Sequence, residues 1–444
     1  IVIRYLKMLR LRPSFVIVLS FFLVVLTGAI LLSLPVASAN GTATNFLDAY
    51  FTSNSATCVT GLVTLDTGVH FSLFGLIVIM ALMQVGGLGY MTFSIFMLLV
   101  FRQKLFISQK LAIREALNIY STKDVILVLR KIFSIVLIVE AAGALILFLR
   151  WLPEMGFGQA LLYGLFHSIS AFNNAGFALP ANFANLAPYA TDIVVNLTIT
   201  TLIIIGGLGF MVIADILKGK RLSLHSKVVI FTTLALIIGG TLIFLALEYN
   251  NPKTIGTMII PHKVLASYFQ AVTPRTAGFN TVDMGSLLPA TALFTMLLMF
   301  IGASPGGTGG GIKTTTFALI ISTIWATLRG FKNTLLYNRR IPAETVRRAF
   351  TVAFLSLAVI AAAIIFLNET EKLGVMALAF EVFSAFGTVG LSMGITPYLS
   401  SVGKIIIIVV MFIGRVGALT LLLALMMDQK EPKIEPPKEG ISIG

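Results

Sequence analysis

Charge is scarce in this chain. Only 11% of its 444 residues are Asp, Glu, Lys or Arg, against about a quarter in soluble domains. Hydrophobic residues make up 57% and the mean hydropathy is +0.97. That balance excludes an ordinary soluble domain and points to an all-α polytopic membrane protein. Cysteine is nearly absent. Cys58 stands alone, so no internal disulfide can form and the redox compartment is not legible. Long polar stretches are missing too. The longest connection assigned to the cytoplasm runs about 25 residues, too short for a regulatory domain.

Acidic residues are outnumbered, 18 against 32 basic ones, for a net charge of +14. Such an excess invites a nucleic-acid reading, but its placement argues against one. Lys and Arg gather in alternate connections: Arg4 to Arg12, Arg102 to Lys131, Lys218 to Lys227, Arg329 to Arg348, and the tail from Lys430. The other connections are nearly free of them. This is the positive-inside pattern of a multi-pass protein with both termini in the cytoplasm. The first apolar run, 14–36, exceeds the roughly 7–15 residues of a cleaved signal core, so a retained helix is expected.

Eight apolar segments reach bilayer length, at 14–36, 71–101, 125–150, 190–217, 227–247, 288–328, 345–367 and 402–427. Four shorter ones lie between them on the outer side, at 46–58, 159–173, 262–275 and 374–387. These read as re-entrant, and backbone at that depth needs protein or a water-filled cavity around it. The expected plan is span, re-entrant loop, span, repeated four times around a central pore. The units fall at 1–110, 111–222, 223–335 and 336–427, followed by a Pro- and charge-rich tail at 428–444.

The repeat is visible in the residues. The re-entrant segments end in Val59-Thr60-Gly61, Asn174-Ala175-Gly176, Thr276-Ala277-Gly278 and Thr388-Val389-Gly390. About 25–30 residues later each unit carries a cluster of small residues: Gly86-Gly87-Leu88-Gly89, Gly206-Gly207-Leu208-Gly209, Gly302-Ala303-Ser304-Pro305-Gly306 and Gly414-Arg415-Val416-Gly417. Small residues alone would explain close helix packing. They do not explain a glycine ending four re-entrant segments. A dehydrated cation needs oxygens in place of water, and a ring of loop carbonyls supplies them. Glycine permits the φ > 0 that turning such carbonyls requires. Thr388-Val389-Gly390 repeats the start of the potassium-channel filter sequence. The four triplets are therefore candidate K+ ligands.

The segment GASPGGTGGGIKTTT (302–316) holds two near-motifs. The phosphate-loop pattern fails because Ile312, not Gly, precedes Lys313. The serine-elbow pattern, Gly302-x-Ser304-x-Gly306, lacks a strand-to-helix turn and a nearby His. No enzyme activity is expected. Gly302, Ala303, Ser304, Pro305, Gly306, Gly307, Thr308, Gly309, Gly310 and Gly311 cannot remain helical inside a span. A gate at 302–313 is expected, with Arg415 as an intramembrane cation that either bonds its carbonyls or adds an electrostatic barrier, and Lys313 either serving similarly or snorkelling toward the cytoplasm. A salt bridge between Arg275 and Glu381, bracing the filter, is a further expectation.

The fourfold plan, one glycine per loop and the broken span in the third unit resemble the Trk/Ktr/HKT potassium transporters over nearly the whole chain. The likeness is strongest to the membrane subunit of bacterial Ktr systems. It implies potassium selectivity, since all four loop positions are glycine. It also implies a homodimer with one pore per chain, in the lipid bilayer of the plasma membrane. A cytoplasmic ring of the regulator-of-potassium-conductance (KtrA) type would bind ATP or ADP, leaving this chain without a cofactor of its own. Sodium remains a candidate activator. The alternative function is a sodium- or proton-coupled secondary transporter. Four units in one direction favour a single axial pore over the paired halves usual there.

Overall fold

The computed structural model describes residues 13–89, 125–219 and 221–418. The basic stretch 102–123, the ends of the second and eighth apolar segments and the tail 428–444 lie outside the described residues. Unit 1 contributes helices α1 (Pro13–Ser33), α2 (Phe46–Thr57), α3 (Thr67–His70) and α4 (Leu73–Gly87). Unit 2 contributes α5 (Val125–Met155), α6 (Phe157–Phe172), α7 (Ile193–Leu208) and α8 (Phe210–Leu217). Unit 3 holds α9 (Leu224–Glu248), α10 (Ile260–Val272), α11 (Pro289–Phe300) and α12 (Thr314–Leu328). An antiparallel hairpin, β1 (Leu335–Leu336) and β2 (Arg339–Arg340), leads to α13 (Ala343–Thr370), α14 (Val375–Gly387) and α15 (Ser401–Val416).

Helix starts are set by side-chain caps, which satisfy amides that have no partner within the helix. Asn45 accepts from Leu47 N at 2.9 Å, Asp192 from Val195 N at 3.0 Å, and Ser400 from Gly403 N at 3.1 Å. Much of the apolar surface points outward. Leu137, Ile138 and Leu145 on α5, Phe231, Leu234 and Ile238 on α9, and Phe354, Ile365 and Phe366 on α13 are all exposed. Helices apolar on every side suit lipid rather than water.

Helices Ile132–Met155, Leu224–Glu248 and Ala343–Thr370 are long and apolar enough to cross a membrane. The other expected spans differ from simple rods. α11 and α12 are separated by the irregular segment 301–313. α7 and α8 meet at a 97° bend, a break that the sequence pattern did not announce. It sits at Gly209, whose φ of +91° is strained for any residue with a Cβ. Val18–Ser33 of α1 and Leu73–Gly87 of α4 form shorter apolar helices.

Each of the four buried cores belongs mainly to one unit and borrows from a neighbour. Phe166, Ala175 and Phe177 of unit 2 enter the unit 1 core. Phe269, Val272 and Ala277 of unit 3 enter the unit 2 core. Phe380 and Val389 of unit 4 enter the unit 3 core, and Phe51, Cys58 and Leu62 of unit 1 enter the unit 4 core. The exchange closes a circle, with the ends of α2, α6, α10 and α14 directed to its middle.

Candidate functional site

At that middle the four triplets share one backbone pattern. Each begins with a non-glycine residue at positive φ: Val59 at 50°, Asn174 at 57°, Thr276 at 68° and Thr388 at 50°. Each ends with a glycine at positive φ: Gly61 at 94°, Gly176 at 73°, Gly278 at 72° and Gly390 at 93°. The residue between them has negative φ. Alternation of hand along a short stretch turns successive carbonyls to one side, as a cation-coordinating backbone requires. A non-glycine residue there costs on the order of 1–3 kcal/mol and persists only where its surroundings hold it. Four such residues at equivalent positions mark a built feature.

The glycines form a closed ring. A Cβ on Gly61 would lie 2.6 Å from the Ala175 carbonyl oxygen, and one on Gly176 would lie 2.9 Å from that of Ala277. A Cβ on Gly278 would lie 2.5 Å from the Val389 oxygen, and one on Gly390 would lie 2.1 Å from that of Thr60. Each glycine thus faces the loop of the next unit, and the fourth returns to the first. No position has room for a side chain unless the ring widens.

A hydroxyl at the end of each of α2, α6, α10 and α14 braces the loop that follows. Ser55 and Ser384 each accept a bond, both 3.0 Å, from the amide of their ring glycine, Gly61 and Gly390. Ser170 donates to the Phe177 carbonyl at 2.8 Å, and Thr273 donates to that of Phe279. The amides of Thr60, Ala175 and Val389 donate to the carbonyls of these same serines, all at 2.8 Å. The sequence reading missed these hydroxyls. Their signal was a Ser six residues before the glycine in three units, and a Thr five before it in the other.

The irregular segment of unit 3 packs against the first residues of the triplets. A Cβ on Gly309 would collide with the Thr276 hydroxyl, and Gly310 N donates to Thr388 Oγ1 at 3.0 Å. Ser304 N and Thr308 N donate to the Gly207 and Gly206 carbonyls at 3.0 and 3.1 Å, and Thr308 Oγ1 donates to Phe172 O at 3.2 Å. Lys313 Nζ turns back to the Gly309 carbonyl at 2.8 Å. The Arg415 guanidinium donates to the carbonyls of Thr308 and Gly86. The segment therefore touches units 2 and 4 directly and unit 1 through Arg415. Gly302, Ala303, Pro305, Gly306, Gly307 and Gly311 complete it, and a parallel bridge between Ile301 and Ile312 closes its neck. Ser304 Oγ accepts from Thr314 Oγ1 at 2.9 Å, so its hydroxyl serves the segment itself.

The family model described as TrkH, cation transport protein, matches residues 4–435. The chain belongs to the TrkH cation transport protein family. It is 45% identical to Ktr system potassium uptake protein B of Bacillus subtilis, over 94% of both chains. It is 38% identical to potassium/sodium uptake protein NtpJ of Enterococcus hirae, over 98% of both. The crystal structure of the potassium transporter TrkH from Vibrio parahaemolyticus shares the fold, with a TM-score of 0.71 at 20% identity over 92% of this chain and 84% of that one.

In this TrkH-family chain the remaining buried charges have local partners, and one pairing differs from expectation. Arg275 donates to Thr233 Oγ1 of α9 at 3.2 Å, while Glu381 accepts from Thr396 in the loop that follows the fourth triplet. The two do not form a salt bridge. Arg275 turns away from the ring toward α9, and the Glu381 carboxylate is held by its own unit. Glu140 accepts from Asn173 Nδ2 at 2.9 Å and Gln84 Nε2 at 3.2 Å, which ties units 1 and 2 behind the second triplet. Asp48 pairs with Lys404 at 2.7 Å and ties unit 1 to unit 4. His167 stacks near Trp151 and accepts from Leu179 N at 3.3 Å, so it packs the second loop.

Proposed function

We propose that this chain carries K+ across the plasma membrane as the pore subunit of a Ktr-type uptake system. The observation that carries the reading is the closed ring of four positive-φ glycines, each preceded by a positive-φ residue. Carbonyls along the four triplets replace the water of a dehydrated K+. The C-termini of α2, α6, α10 and α14 add partial negative charge near the ring. In this reading the chain has eight spans and four pore loops, the ring lies near the outer face and both termini are cytoplasmic.

The segment 302–313 acts as the gate. It packs against the first residues of the third and fourth triplets and is held by Arg415, Thr388 and the Gly206–Gly207 carbonyls, contacts that suit a plug on the inward path. Its glycines let it move with little steric cost. The chain works as a homodimer with a cytoplasmic nucleotide-binding ring of the KtrA type. ATP or ADP acts only through that ring, and sodium acts at most as an activator. Transport is passive and needs no catalytic group.

The reading is tested by K+ and Na+ flux into liposomes holding the purified chain, beside a Gly278→Ser variant. A side chain at Gly278 meets the Val389 oxygen at 2.5 Å and the Gly176 Cα at 2.9 Å, so the ring must widen. K+-selective flux in the parent and loss of selectivity in the variant are expected. Flux that requires a sodium or proton gradient would refute the passive pore.

A further inference from the structure

The ring is not fourfold at its outer edge. Among the described residues the carbonyls of Gly61, Gly176 and Gly390 receive no protein donor, whereas Gly278 O accepts from Asn185 Nδ2 at 3.1 Å. Asn185 belongs to unit 2, in the outer loop that follows its own triplet. That loop is bent over the ring by three residues at positive φ: Asn182 at 62°, Phe183 at 54° and Asn185 at 50°. Asparagine tolerates this conformation better than most residues. The loop is fixed from both sides. Asp66 of unit 1 accepts from Phe183 N at 3.2 Å. From unit 3, Asn280 N donates to Asn185 Oδ1 at 3.3 Å, and Leu186 N donates to Asn280 O at 3.1 Å. Asn185 also lines a cavity of about 50 Å³ with Gly61, Asp66 and Gly176. Its amide therefore sits at the mouth and is held in one orientation, with its oxygen toward Asn280 N and its nitrogen toward the Gly278 carbonyl.

We infer that Asn185 is a positioning residue for ion selectivity, pinning the Gly278 carbonyl so that the outer ring cannot contract around a smaller cation. This rests on the ring being the filter. A carbonyl with a fixed donor cannot swing inward to meet an ion of smaller radius. A free carbonyl can, and discrimination through the number and field of the oxygens weakens when they can rearrange. The bonded carbonyl also gives part of its acceptor capacity to the amide, so the site offers three free oxygens and one moderated oxygen.

Two variants of the full chain remove the donor in different ways. Asn185→Asp keeps the shape, the acceptor for Asn280 N and the tolerance of positive φ, but its carboxylate cannot donate. Asn185→Gly removes the side chain without backbone strain. Asn182→Gly alters the same loop at positive φ with no bond to the ring. Liposome flux with K+ and Na+ gives the selectivity of each. We expect a fall of about five-fold in the K+/Na+ ratio for both Asn185 variants, of the order set by one net hydrogen bond, with the rise confined to Na+ flux. Asn182→Gly should match the parent. A selective parent with unchanged ratios in both Asn185 variants overturns this inference and leaves the filter standing. A parent that does not discriminate, or a Gly278→Ser variant as selective as the parent, overturns the filter assignment and the inference with it.

Discussion

Replacing Arg415 with glutamine should open the pore. The guanidinium donates to the Thr308 carbonyl in the unit 3 segment and to the Gly86 carbonyl at the end of α4, so one side chain of unit 4 joins units 1 and 3. Hydrogen bonds from a charged donor contribute about 1.5–3 kcal/mol each; the one to Thr308 crosses to the segment and holds it by that amount, while the one to Gly86 fixes the guanidinium in place. Water and the glutamine amide recover part of this. A net loss of about 2 kcal/mol shifts the closed-to-open ratio about 30-fold. A gate open about 1% of the time would then be open about a quarter of the time. Rubidium uptake into liposomes by the Arg415→Gln chain, without the cytoplasmic ring, should rise by more than ten-fold. Its preference over sodium should hold, because Arg415 does not touch the glycine ring. Unchanged or lower uptake by a chain that elutes like the parent would refute the argument that Arg415 latches the segment.

Two further outcomes follow from packing and protonation. Gly206→Ala would set a Cβ 1.9 Å from the Phe172 carbonyl oxygen, and overpacking of this kind costs about 1–3 kcal/mol. Gly239→Ala, with nothing within 4 Å of its added methyl, should be neutral or slightly stabilising, and thermal unfolding in detergent separates the two. His70, at the end of α3, has its pKa lowered from 6.5 by desolvation, against the opposing pull of Asp48, and its Nε2 lies 3.0 Å from Thr44 Oγ1. The folded state favours neutral imidazole. Its contribution is therefore complete above pH 6.5 and is lost as the pH falls through the lowered folded value. The melting temperature should drop between pH 7.5 and 5, and His70→Gln should flatten that slope; parallel curves would contradict it.

Much of this architecture was legible because glycine and proline punctuate apolar runs. The re-entrant stretch at 46–58 became α2 at Phe46–Thr57, and that at 374–387 became α14 at Val375–Gly387. The break at 302–313 separates α11 from α12 because its glycines and Pro305 cannot sustain a helix. The bend at Gly209 was hidden. Gly206-Gly207-Leu208-Gly209 has the same spelling as the unit 1 cluster, and φ is not written in composition. The first glycine of three of the clusters also does more than bring helices together. At Gly86, Gly206 and Gly414 an added Cβ would strike the carbonyl of Thr57, Phe172 or Phe386 at the end of a re-entrant helix.

Side-chain pairing was the least legible level. Arg275, beside the third triplet, and Glu381, in the helix before the fourth, carry opposite charges, yet the hydroxyls of Thr233 and Thr396 take them instead. The bracing hydroxyls escaped notice because Ser and Thr are common in the re-entrant helices and only their offset from the glycine distinguishes them. Asn185 escaped for the same reason as Gly209. Its role depends on a loop conformation that folds one unit over the next.

The proposed K+ site lies where the four glycine loops meet. Its most direct test is an anomalous difference map from crystals of the protein grown in rubidium or thallium salt. Density is expected on the axis between Gly61, Gly176, Gly278 and Gly390. Density confined to another polar site, such as the Glu140–Gln84–Asn173 cluster, with the ring axis empty, would contradict it.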